Sequence, residues 1–181
     1  FLVELFKNSD PNENPAESVT ARELLDQGLI QIRSNLADQP EVQGELMFTM
    51  AKVYSNLGLY REAGELNDDV LALLEKTVDS EMNDLVLAYS LKGQIYIMQG
   101  DFQGAEESSR MALALDKESD SPGGSDLAGS LHILAHALKE QGRLEESESY
   151  YRQSLDQWRR PAHPDTTELA STMVSLGEML R

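Results

Sequence analysis

The sequence predicts an all-α fold, a stacked array of about eight helices arranged as antiparallel pairs. Two observations carry this. Gly58, Gly100 and Gly142 recur every 42 residues, each inside the same phrase: Gly58-Leu-Tyr-Arg-Glu-Ala63, Gly100-Asp-Phe-Gln-Gly-Ala105 and Gly142-Arg-Leu-Glu-Glu-Ser147. A fixed period of that length marks one supersecondary unit copied in tandem. The segments on either side of each Gly carry apolar residues at helical rather than strand spacing.

The elements follow in order. Residues 1–18 form an N-terminal segment, read as a short helix or linker, with Phe1 to Phe6 as an amphipathic cap or the trailing end of an anchor. One period before Ala63 lies Ala21, which opens the run Leu24, Leu25, Leu29, Ile30 and Ile32, so residues 19–40 read as the lone second helix of a degenerate repeat. Residues 41–82 are the first full unit. Its first helix carries Leu46, Met47, Met50, Val53, Tyr54 and Leu57 and stops where Gly58 takes up a left-handed cap. Tyr60 opens its second helix, Ala63 allows close approach of the two, and Leu66, Val70, Leu71 and Leu74 form the second stripe. Residues 83–124 repeat the scheme with Gly100, Phe102 and Ala105 and the stripe Met111, Ala112, Leu113 and Leu115. Residues 125–166 repeat it with Gly142, Leu144 and Ser147. One period beyond Gly93 and Ala135 lies Gly177, so residues 167–181 are the first helix of a fourth unit, with Met173, Leu176 and Leu180 as its stripe. At the joints, Asp84, Asp126 and Glu168 put an acid in a first helical turn, where the macrodipole favours it. Ser121-Pro-Gly-Gly124 and His163-Pro-Asp-Thr166 are turn chemistry. No helix of a pair can bury its stripe alone, so the units must stack. Opening on a lone second helix and stopping inside a first one is expected of a piece of a longer array.

Tyr89, Gly93, Tyr96, Gly100, Phe102 and Ala105 resemble the tetratricopeptide repeat, and the resemblance covers residues 41–181. It implies a right-handed superhelical array whose concave groove binds a peptide or helix of a partner protein. The usual repeat has 34 residues; eight more add about one helical turn to each helix. The longer unit with its His-Pro-Asp-Thr joint is similar to the kinesin light chain subtype, with Ser90-Leu91 and His132-Ile133 where that subtype carries Asn pairs. Phe1-Leu-Val-Glu-Leu-Phe6, Ser9-Asp-Pro11 and Val19-Thr-Ala-Arg-Glu-Leu-Leu-Asp-Gln-Gly28 are similar to the stretch before such arrays in bacterial serine/threonine protein kinases. That resemblance implies the accessory region of a larger signalling protein, with a kinase domain upstream. The array would be extracytoplasmic if one membrane span precedes it and cytoplasmic without one.

Composition fits this class. Forty per cent of the 181 residues are hydrophobic, enough to feed a continuous core, and there is no cysteine for disulfide or thiolate chemistry. No run of apolar residues is long enough to span a membrane. The formal charge of −17 argues against nucleic acid or an anionic membrane as partner, because both need a positive footprint. Catalytic patterns such as Gly-x-Ser-x-Gly, phosphate loops and kinase signatures are missing, so no cofactor is implied and the chain does not read as an enzyme.

On the repeat pattern, the first-helix positions that turn away from the second helix line the groove. The partner-binding set is Phe48, Lys52, Asn56, Ser90, Gln94, Ile97, Met98, His132, His136 and Lys139. The groove balances Lys52, Lys139 and Arg181 against Glu45, Glu140 and Glu178, while most acids fall on second helices, either as a solvated shell or as a docking face for a basic partner. Lys52, Asn56 and Gln94 make a partial clamp for a carboxylate. Phe48, Leu87, Ile97 and Met98 suit an apolar peptide or helix, and equally suit packing against a neighbouring helix. His132 and His136, at i and i+4, share a helix face that is able to hold zinc, which opens a metal-dependent enzyme as the remote alternative, without a third ligand in view. An apolar face of Met173, Leu176 and Leu180 opens another alternative, a homodimer or end-to-end assembly by repeat stacking.

Overall fold

A computed structural model describes residues 20–77, 82–119, 125–159 and 166–179. Among these, eight helices follow one another: α1 Ala21–Asn35, α2 Pro40–Asn56, α3 Tyr60–Leu74, α4 Met82–Gln99, α5 Phe102–Glu118, α6 Ser125–Glu140, α7 Leu144–Trp158 and α8 Thr166–Met179. The expected segment at 1–18, the turns at 121–124 and 163–165, and Leu180 and Arg181 lie outside the described residues.

Each full unit is a helical hairpin closed by the same turn. Gly58, Gly100 and Gly142 have φ of 76°, 78° and 80°, the left-handed region where a Cβ is costly. In each, the Gly amide donates to the carbonyl three residues back, and the next amide donates five residues back: Leu59 to Tyr54, Asp101 to Tyr96 and Arg143 to Leu138, all at 2.9 Å. This double bond pattern satisfies the last carbonyls of the first helix. The second helix then starts at Tyr60, Phe102 or Leu144. Elsewhere helix starts have their own devices. Thr20 and Glu23 form a reciprocal capping box on α1, Pro40 occupies the first turn of α2, and the Asp101 carboxylate accepts from the Gly104 amide at 2.9 Å.

Close packing within a hairpin rests on small residues. Ala63, Ala105 and Ser147 on the second helices, and Ala51 and Ala135 on the first, are wholly buried. A Cβ built on Gly93 would lie 2.9 Å from Ser109 Oγ and 3.2 Å from Ile133 Cγ2, so a larger residue there would push these side chains aside where α4 approaches α5. Ile32, Met47, Tyr54, Leu66, Val70 and Ile95 form one buried cluster across α1 to α4, and Ala135, Tyr151, Leu155 and Leu176 a second across α6 to α8, which is how stacked units bury stripes that none could bury alone. Four residues of the expected stripes are exposed instead. Ile30 is 67% exposed, Leu57 52%, Met111 46% and Met173 53%. The helix geometry explains three of them: Ile30 lies two residues from buried Ile32 and so faces away from it, Met111 is rotated 100° from fully buried Ala112, and Leu57 belongs to the turn. Met173 sits beside buried Thr172 at the edge of its stripe.

Candidate functional site

The two sides of the array differ in what joins them. α4 packs against both α2 and α6, and α6 against α8, so the first helices touch their own kind from unit to unit. Among the described residues the second helices do not, and only long side chains bridge them: Arg22 to Glu62 at 2.7 Å, Arg33 to Asp69, and Arg143, just before α7, to Glu106 at 2.8 Å. The closer spacing of the first helices puts them on the concave side. That side is therefore formed by α2, α4, α6 and α8, and the ten sequence-derived residues lie on the first three of these.

Those ten divide into two groups. Lys52, Asn56, Gln94 and Met98 are exposed, and Phe48, Ile97, His136 and Lys139 are half-buried on the same helices. Ser90 and His132 are instead engaged in the joints. Ser90 Oγ and Ser130 Oγ are 2.5 Å apart across the α4/α6 joint, and His132 Nδ1 is 2.9 Å from Thr172 Oγ1 across the α6/α8 joint. Both contacts span 40 residues, a register in which Phe48 corresponds to Ala88. The joint thus changes chemistry from unit to unit while its geometry persists.

His132 also meets the Tyr151 ring edge-on, with centroids 5.5 Å apart. Burial, followed by the charges of His136 and Lys139, holds its imidazole down to about 4. His136 is lowered by burial and by Lys139, partly opposed by Glu140, whose Oε1 lies 3.7 Å from His136 Nε2. Lys139 lies 3.3 Å from the same Oε1. The two histidines therefore point to different partners, and no group of three or more His, Cys, Asp or Glu is gathered for a metal among the described residues.

A cavity of about 540 Å³ opens where α2, the end of α3 and the start of α4 meet. Its walls include Phe48 and Leu87, both on the groove positions read from the sequence, with Leu74 beneath and Glu41 and Glu45 at the rim. Glu41 and Thr77 were not singled out from the sequence. The signal was present for Glu41: positions 41, 45, 48 and 52 follow one helical face. Thr77 belongs to a helix end that only the fold brings to the groove. Lys52 lies over the Phe48 ring, Nζ 5.7 Å from its centroid, one turn beyond the cavity.

Comparison with known proteins agrees with this architecture. Residues 127–160 match the family model described as tetratricopeptide repeat. Among solved structures the chain is similar to BtubC (BKLC) from P. vanneervenii, with a TM-score of 0.74 and 22% identity over 89% of this chain and 66% of that one. It is also similar to a Podosopora anserina kinesin light chain protein with nearly identical TPR-like repeats, with a TM-score of 0.63 and 21% identity over 75% of this chain and 64% of that one. The chain thus spans just under two thirds of both. No curated protein matches the sequence. The third unit thus matches the tetratricopeptide repeat in sequence, and the chain shares its helical-repeat fold with tetratricopeptide and kinesin-light-chain-like arrays.

Proposed function

We propose that this chain is a protein-interaction module that holds a peptide or helix of a partner protein in the concave groove. Tetratricopeptide repeats generally mediate protein–protein contacts. The observation that carries the groove reading is the mixed exposure along α2 and α4: Phe48 and Ile97 half-buried beside exposed Lys52, Gln94 and Met98. An apolar floor with polar and flexible side chains around it is what an amphipathic segment needs. The contacting set is Phe48, Lys52, Asn56, Gln94, Ile97, Met98, His136 and Lys139, with Ser90 and His132 shaping the groove through their joints. The resemblance of residues 1–28 supports placing the module in a larger bacterial signalling protein such as a serine/threonine kinase.

Panning a random-peptide display library on the chain tests this. Selected peptides should lose at least tenfold in affinity against Gln94→Arg and Met98→Glu, with helicity unchanged, because both positions are exposed on the groove side. Affinity unaltered by both substitutions rejects the groove. End-to-end assembly is the second reading, supported by Met173 and Val174, 53% and 59% exposed on α8. Sedimentation of the chain should then show a dimer that Val174→Glu dissociates.

A further inference from the structure

The groove's charges are unevenly placed. At the C-terminal end Lys139, His136 and Glu140 cluster and compensate one another. In the middle, the groove positions Ser90, Gln94, Ile97 and Met98 are uncharged. At the N-terminal end the cavity rim carries Glu41 and Glu45, with Asp84 across from them on α4 and no basic residue among the described residues of the lining. Leu74 and Thr77 bring the C-terminal end of α3 to the same cavity, and a helix C-terminus adds partial negative charge. Both threonine hydroxyls in the lining are already committed as donors to their own helices, Thr49 to the Glu45 carbonyl at 3.0 Å and Thr77 to the Leu73 carbonyl at 2.9 Å. The mouth therefore offers acceptors and negative charge around an apolar floor of Phe48, Leu74 and Leu87.

We propose that this mouth takes a basic, apolar polypeptide segment, seating a large apolar side chain on Phe48 and Leu87 while a flanking Lys or Arg meets Glu41 and Glu45. The proposal rests on the groove reading above and adds the chemistry of the partner. About 540 Å³ accommodates one such side chain with part of its neighbour's aliphatic stem. Lys52, over the Phe48 ring, bounds the acidic stretch, so the basic residues lie toward the N-terminal end of the groove and not along its whole length.

The test uses a fluorescein-labelled decapeptide with two leucines flanked by lysine and arginine, and a counterpart in which every basic residue is glutamate. Anisotropy titrations are combined with amide chemical shifts of the 15N-labelled chain. The basic peptide should shift Gly44, Phe48 and Leu87. It should lose at least tenfold in affinity in the Glu41→Lys/Glu45→Lys double variant, and again when its leucines become serines, a change that leaves the protein untouched. The Glu107→Lys/Glu145→Lys variant carries the same net charge with exposed acids of the second helices altered, and should bind within twofold of the parent. Equal losses in the two double variants would assign the attraction to the acidic shell as a whole and overturn the proposal. Groove shifts produced by the acidic peptide alone would also overturn it while leaving the groove reading intact. No groove shifts with either peptide would remove both.

Discussion

The concave and convex sides of this array solve the same problem with opposite materials. On the concave side consecutive units meet through part-buried side chains that reach wholly buried hydroxyls, Ser90 with Ser130 and His132 with Thr172. On the convex side they meet through Arg22 with Glu62 and Arg33 with Asp69, arginines whose side chains are half exposed. Short groups bring helices together and long ones hold them apart, so the choice of side chain at each joint produces curvature. The same choice distributes energy unevenly. Exposed ion pairs contribute little because water and side-chain entropy cancel most of the attraction, whereas a buried group has no such alternative.

That contrast can be broken most forcefully at Tyr151. Its ring is wholly buried on α7 and supports His132 from below. Tyr151→Ala should cost about 3–5 kcal/mol in urea unfolding, the range for removing a buried aromatic ring. A loss under about 1 kcal/mol would show that the α6/α8 joint is not a close-packed one.

The next test is acid. His132 is neutral in the folded chain down to about 4 but takes a proton near 6.5 when unfolded. Between these values the unfolded state binds more protons, so stability rises with pH across this window. His132's contribution is fully present above the unfolded value and is lost as pH falls toward 4. Its share of the pH 7 to pH 4 change should reach up to about 3 kcal/mol, and His132→Gln should remove that share from the slope. Equal slopes in parent and variant would place His132 in contact with water.

Smaller effects sharpen the picture. Gly100→Ala meets no neighbouring atom but forces a Cβ into a φ of 78°, and should cost about 1 kcal/mol through the backbone alone. Arg33→Ala, on the convex side, should cost less than about 1 kcal/mol, and 1 M salt should erase that difference. A larger convex effect that survives salt would mean that second helices carry the stacking.

What was readable in the sequence follows from how local each cause is. Glycines with positive φ, the aromatic or leucine that starts the next helix and the small residue three places on are dictated within one turn. Gly58, Tyr60 and Ala63 therefore announce themselves, and repetition amplifies them. Exposed Ile30 and Met111 show the limit, since an apolar residue one or two places from a buried one reads as part of the stripe until the helix faces are fixed by a neighbour. Buried polar residues were less visible still. Asn67 is wholly buried because its amide donates to the Ala88 carbonyl at 3.0 Å, and Ser154 because it donates to the Ala128 carbonyl at 2.8 Å. Those acceptors are backbone atoms of another helix, which no side-chain pattern reveals. For His132 a clue existed: Thr172 follows at the same 40-residue separation as Ser130 follows Ser90. The helices carrying the contacting set could be named from the sequence, but the cavity beside Phe48 and Leu87 could not, because the end of α3 joins it only after folding.

The residue before each of the last two turn glycines has a task of its own. Gln99 Nε2 donates to the Tyr60 carbonyl at 3.3 Å, and Gln141 Nε2 to the Phe102 carbonyl at 3.0 Å, both 39 residues back. Each turn is thus latched to the unit that precedes it, and the latch obeys a rule of length. Excising residues 83–124, one whole period, would bring Gln141 opposite Tyr60 and leave the latch closed. Removing 41 or 43 residues would leave it open. The array can be shortened or extended by whole words and by nothing smaller, so the length of its groove is free to change while the grammar of its joints stays fixed.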